Sequence, residues 1–109
     1  MKVLVTGAAG FIGGQLWHTL WQRGDEVIGI DNFSYGYLDN LKFDDHDFGP
    51  EVRRMDIRDR EALPKLFEEE KFDVVYNIAG IAPLPDCQSD PVQAVEVNTM
   101  GLVHVLECA

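Results

Sequence analysis

Three glycines, Gly7, Gly10 and Gly13, fall within Thr6-Gly-Ala-Ala-Gly-Phe-Ile-Gly13, close to the start of a 109-residue chain. Glycines spaced this way between a strand and a helix suit contact with a phosphate. The first N–H groups of a helix have no partner inside it and carry about half a positive charge from the aligned peptides, so they attract an anion. Gly7 would permit a tight exit from the strand and Gly10 would keep a Cβ out of the path of the phosphates. Gly13 would let the helix lie close on the sheet. The pattern is Gly-x-x-Gly-x-x-Gly, not the Gly-x-Gly-x-x-Gly of the general dinucleotide fingerprint, and glycine-rich turns also occur with no ligand. The strand-to-helix junction favours the ligand-binding reading.

Asp31 adds an independent feature. It lies eighteen residues after Gly13 and directly follows the apolar run Val27–Ile30, where a dinucleotide site places an acid for the adenosine ribose. A carboxylate there accepts hydrogen bonds from free hydroxyls and repels a 2′-phosphate. From Asn32 to Leu41 no Lys or Arg offsets that repulsion. The cofactor these residues imply is therefore NAD rather than NADP.

The elements needed to position such a site are present in order. Lys2–Thr6 is a nearly continuous apolar strand, the pattern of a strand covered on both faces. Phe11–Gln22 has helical spacing of apolar residues and Gly24 as its stop. Glu26–Ile30 and the weaker Glu51–Met55 are strands two and three. Arg58–Glu70 is a helix with Leu63, Leu66 and Phe67 inward, and Pro64 moves its start nearer Arg60. Phe72–Asn77 is strand four, followed by a proline-rich loop (Pro83, Pro85, Pro91) and a long helix over Val92–Ala109. This alternation predicts an α/β fold: a partial doubly wound (Rossmann) parallel sheet of order 3-2-1-4, truncated after the helix that follows strand four. Strand four would then be an unprotected edge.

Composition bounds the partners. Hydrophobic residues are 46% and charged residues 26%, the balance of a folding, soluble chain. A formal net charge of −10 disfavours nucleic-acid and anionic-membrane binding. Two cysteines, Cys87 and Cys108, are too few for a disulfide framework. No membrane span or signal peptide is evident, so a cytoplasmic location is expected.

Five segments together resemble the N-terminal part of the extended short-chain dehydrogenase/reductase family, the NAD-dependent nucleotide-sugar epimerases and dehydratases. They are Thr6–Gly13, Asp31-Asn-Phe-Ser-Tyr-Gly36, Met55-Asp-Ile-Arg-Asp59, Asn77-Ile-Ala-Gly80 and Asn98-Thr-Met-Gly101. The resemblance covers essentially the whole chain. It implies that Phe11 and Ile12 offer backbone N–H groups to the pyrophosphate, and that Asp31, Asn32 and Ser34 hold the adenosine ribose. It implies that Asp56 bonds the adenine amino group beside Ile57, that Ile78, Ala79 and Gly80 line the path to the nicotinamide, and that Asn98 orders the active site. Residues 1–109 would then be the NAD-binding part of a Rossmann domain, without the C-terminal part that binds a nucleotide-sugar substrate. Hydride transfer between a sugar carbon and NAD is the implied chemistry of the intact enzyme, and homodimerisation would run through the C-terminal helix.

Two departures bear on activity. Many relatives have His where Asn77 stands, so Asn77 receives no chemical role. The family's Tyr-x-x-x-Lys pair, in which the lysine lowers the tyrosine pKa, is absent: four residues beyond Tyr35, Tyr37 and Tyr76 stand Asp39, Leu41 and Gly80. No catalytic residue is assigned, and the chain is expected to bind a dinucleotide without turnover. The alternatives are a non-catalytic dinucleotide-sensing module and a half-fold that binds nothing. No metal site is expected. Asp44-Asp-His-Asp47, with Asp39, reads as a solvated loop, and His18 and His104 lack ligand partners. Cys87 has no activating neighbour, and Trp17 and Trp21 read as packing residues.

Overall fold

The computed structural model describes residues 1–109. Four parallel strands run in the order β3-β2-β1-β4. β1 (Lys2–Thr6) lies at the centre, paired with β2 (Glu26–Asp31) from Lys2↔Glu26 to Thr6↔Ile30 and with β4 (Val74–Asn77) from Val3↔Val74 to Thr6↔Asn77. Because successive strand residues face opposite ways, β1 feeds two cores. Val3 and Val5 pack with Ala8, Trp17, Leu20, Leu41 and Phe48 on the side of α1 (Phe11–Gln22). Leu4 packs with Ile30, Ile57, Leu63, Leu66, Val97 and Val105 on the other. The predicted α/β architecture and 3-2-1-4 order are both observed.

Boundaries shift for local reasons. β2 extends through Asp31, so the acid is the last residue of its strand. β3 is only Arg53–Arg54, both exposed, shorter than the predicted Glu51–Met55. Short, charged edge strands are a common way of leaving an edge unattractive to further pairing. α2 is Ala62–Glu70. Asp59 Oδ1 accepts from the N–H groups of Glu61 (3.0 Å) and Ala62 (2.9 Å), fixing the helix start there. Pro64 therefore falls in the first turn, where its missing N–H costs nothing.

The proline-rich stretch predicted as a loop contains α3 (Leu84–Ser89), again with proline in a tolerated first-turn position. The predicted helix over Val92–Ala109 is α4 (Pro91–Val95), a wider π-helical turn (Glu96–Met100) and α5 (Gly101–Cys108), with right-handed helical backbone at each junction. Asp90 caps it, accepting from Gln93 N at 3.0 Å. No helix is long and apolar enough to cross a membrane.

Candidate functional site

The glycine-rich turn leaves β1 at Gly7, whose φ of +65° disfavours any side chain. A Cβ there would also lie 2.7 Å from Ala79 N and 2.9 Å from Ala79 Cα, so the turn and the exit of β4 are in backbone contact. A Cβ on Gly13 would meet the Gly7 carbonyl oxygen at 2.0 Å. Gly13 thus closes the turn on itself, a different reason from the predicted approach of helix to sheet. That approach depends on Gly29 of β2, where a Cβ would strike the Trp17 ring at 2.2 Å. Gly14 serves a further contact, with Asn40 O 2.6 Å from its ideal Cβ.

Gly10 is unlike its neighbours. Its φ of −77° and ψ of 171° suit any residue, and its would-be Cβ meets only Gly7 O, at 3.3 Å. The protein itself has little need of a glycine here. Past Gly10, the N–H groups of Phe11, Ile12 and Gly13 have no acceptor in the chain, and no side chain caps α1. Phe11 and Ile12 side chains are exposed at the rim. Open amides at a helix start form a cradle for an anion.

Across the cleft, Asp31 is buried. Its Oδ2 accepts from Ala9 N at 2.9 Å, inside the glycine-rich turn, and its Oδ1 accepts from Phe33 N at 2.7 Å. Each carboxylate oxygen has a second lone pair for an incoming hydroxyl. Phe33 sits at φ +63°, and a Cβ on Gly36 would lie 2.9 Å from Asp31 Oδ2. Asn32 donates to Asp56 Oδ2 (3.0 Å) and accepts from Ser34 N (3.0 Å).

Asp56 is clamped by Arg58. Nη2 donates to Oδ2 at 2.8 Å, Nε to Oδ1 at 3.1 Å, and the Arg58 N–H to Oδ1 at 2.8 Å. The guanidinium outweighs burial and holds the carboxyl at about 2. Much of the capacity predicted for an adenine amino group is therefore already engaged by Arg58 and Asn32. At the other wall, Thr6 Oγ1 donates to Asn77 Oδ1 (2.6 Å) and accepts from Ala79 N (3.1 Å), fixing the path of Ile78–Gly80.

These groups enclose a cleft of ≈ 570 Å³ above the C-terminal ends of the strands. Every predicted site residue lines it except Asn98. Asn98 sits in the π-helical turn and pairs with the backbone of Ile81, accepting from its N–H (2.6 Å) and donating to its carbonyl (2.9 Å). It positions the loop after β4 and does not face the cleft. Tyr35, Gly36, Arg58 and Asp86 are among the residues outside the predicted set that also line the cleft. Arg58, two residues beyond Asp56, had a legible signal; the Tyr35–Asp86 approach had none. The Asp86 carboxylate raises the Tyr35 phenol above its ordinary value, the reverse of what a proton-accepting tyrosine needs.

The acidic loop is occupied by the protein's own contacts. Asp45 pairs with His18 at 2.7 Å, His46 with Glu51, and Asp47 accepts from Gly49 N at 2.8 Å. Trp17 packs on Phe48 with ring centroids 4.9 Å apart, and Trp21 stacks on His46 at 4.8 Å. Cys87 Sγ donates to Ile81 O at 3.3 Å.

An open helix start facing a buried acid at the end of the neighbouring parallel strand defines the mononucleotide half of a dinucleotide-binding α/β fold. Residues 3–109 match the model of the NAD dependent epimerase/dehydratase family, and the chain belongs to that family. It is 38% identical over 111 residues to UDP-glucuronate 4-epimerase 2 of Arabidopsis thaliana, covering 98% of this chain and 26% of that protein. UDP-glucose 4-epimerase of Thermus thermophilus, solved in complex with NAD, is 37% identical with a TM-score of 0.85, over 99% of this chain and 33% of that one. UDP-glucose 4-epimerase of Thermotoga maritima, solved with UDP-glucose, is 29% identical with a TM-score of 0.89, over 99% and 33%. The chain spans roughly a third, or less, of the length of the curated relatives it matches.

Proposed function

We propose that the cleft binds NAD and that residues 1–109 are the cofactor-holding part of a nucleotide-sugar epimerase. The observation that carries this reading is the set of unpaired amides at Phe11, Ile12 and Gly13, which shares one cleft with the buried Asp31 carboxylate. The amides take the diphosphate and Asp31, with Asn32 and Ser34 nearby, takes the adenosine ribose. Asp56 and Ile57 border the adenine, and Ile78–Gly80 border the route to the nicotinamide. When bound, NAD supplies a two-electron acceptor for a sugar carbinol.

The chain's own residues bind and orient but do not move the substrate proton. None of its tyrosines has a lysine four residues on, and Tyr35 in the cleft has an acid, Asp86, rather than a cation acting on its phenol. Epimerisation rather than dehydration is favoured because the relatives named above are 4-epimerases. The exposed Val92, Val95, Leu102, Val103 and Leu106 on the α4–α5 stretch favour packing against a second copy, which sedimentation would reveal as a dimer. The acidic surface and two free thiols favour the cytoplasm.

Calorimetric titration with NAD and NADP tests the central reading. NAD is expected to bind measurably and NADP more weakly, since Asp31 repels a 2′-phosphate. Absence of NAD binding by the folded chain would sink it.

A further inference from the structure

His104 is a buried polar side chain on α5, forty-seven residues from its hydrogen-bond partner. Its Nδ1 lies 2.8 Å from the carbonyl oxygen of Ile57. A carbonyl only accepts, so the ring must carry its proton on Nδ1. The residue also borders a surface depression lined by Phe67, Glu68 and Glu107. Ile57 stands in the wall of the cleft between Asp56 and Arg58.

The same helix grips this turn at two further points. A Cβ on Gly101 would lie 2.5 Å from Ile57 Cδ1, so the helix backbone rests directly on that side chain. Glu96 Oε2 lies 3.6 Å from Arg58 Nη1. Val97, Gly101 and His104 are buried residues of this stretch, spaced four and three apart, so they share one helix face. Asn32 and Arg58 hold the Asp56 carboxylate, but His104 makes the only hydrogen bond to the Ile57 carbonyl. Past Met55, whose N–H reaches Asp31 O at 3.0 Å, its backbone has no sheet partner.

We infer that His104 is a positioning residue for the base-binding end of the cleft: its Nδ1–H holds the Ile57 carbonyl and so sets where Asp56, Ile57 and Arg58 meet the adenine. The inference rests on the proposed NAD site and deepens it. Without the imidazole the buried carbonyl loses its donor, and the turn relaxes toward water to recover one.

Asparagine, leucine and glutamine variants separate the hydrogen bond from mere bulk. Asn Nδ2 stands as many bonds from Cβ as His Nδ1, so H104N can restore the bond. Gln carries its amide nitrogen one bond further, and Leu has no donor. NAD and ADP are titrated into wild type and all three variants, with thermal unfolding confirming that each is folded. H104L and H104Q are expected to bind both ligands about tenfold more weakly, and H104N within about threefold of wild type. Folded H104L binding as tightly as wild type would overturn the inference, as would H104N binding no better than H104L. A wild-type chain that binds neither ligand overturns the NAD reading itself, and the inference falls with it.

Discussion

Gly10 and Gly13 look alike in the sequence, yet alanine should affect them in opposite ways. At Gly13 the new Cβ would sit 2.0 Å from the Gly7 carbonyl oxygen, 2.9 Å from its carbon and 3.0 Å from Ala8 Cα. All three are backbone atoms and cannot rotate aside. Overpacking typically costs about 1–3 kcal/mol, and a clash with backbone belongs at the top of that range. About 3 kcal/mol in a domain of this size lowers the unfolding midpoint by more than about 10 °C. At Gly10 the backbone already suits alanine, and the only contact is Gly7 O at 3.3 Å. A compatible Gly→Ala change stabilises by about 0.4–1 kcal/mol through the unfolded chain, and that contact offsets part of the gain. G10A should therefore melt within a few degrees of wild type. Its methyl group would nevertheless stand where the diphosphate approaches, and about 1–3 kcal/mol of overlap there weakens NAD roughly 5- to 150-fold. Circular dichroism melts and NAD calorimetry on both variants separate the effects. G13A melting with wild type would refute the close approach, and folded G10A binding NAD as wild type does would refute a diphosphate above that turn.

Other expectations follow from the same geometry. Asp31→Ala leaves the N–H groups of Ala9 and Phe33 without their acceptor as well as removing the ribose contact. NAD should weaken at least about tenfold, and unchanged calorimetric affinity would remove Asp31 from the site. Asp56 is held near 2 by Arg58, below its ordinary 3.8. The stability it contributes is present above about pH 4 and is lost as pH falls through about 2. The full difference corresponds to about 2 kcal/mol, which solvent screening of a partly exposed pair reduces to about 1 kcal/mol. Denaturant titrations of wild type and Asp56→Asn between pH 5 and 2, a window set by those two values, should converge as the pH drops; parallel curves would contradict the assignment. Trp17→Ala empties a site packed between Phe48 and Gly29 and should cost about 3–5 kcal/mol, read from the midpoint of chemical denaturation.

Features that depend on neighbours along the chain are readable from the residues alone. The apolar run of β1, the helical spacing of α1, the glycines at their junction and the acid at the end of β2 are each legible within a few residues. Alternating strands and helices then leave a right-handed parallel sheet as the favoured arrangement. The helix boundary around Pro64 was less legible, because a proline breaks a helix or starts one according to where the cap falls, and that cap depends on the Asp59 side chain; the short helix at Pro85 has no side-chain cap to signal it. Which glycine serves which contact, that Asn98 holds Ile81, that Arg58 clamps Asp56 and that His104 reaches Ile57 emerge from the folded arrangement. Hydrogen bonds and close contacts of this kind require groups to meet within a few tenths of an ångström. For residues far apart in the chain, that precision comes from strand register and helix packing rather than from residue type.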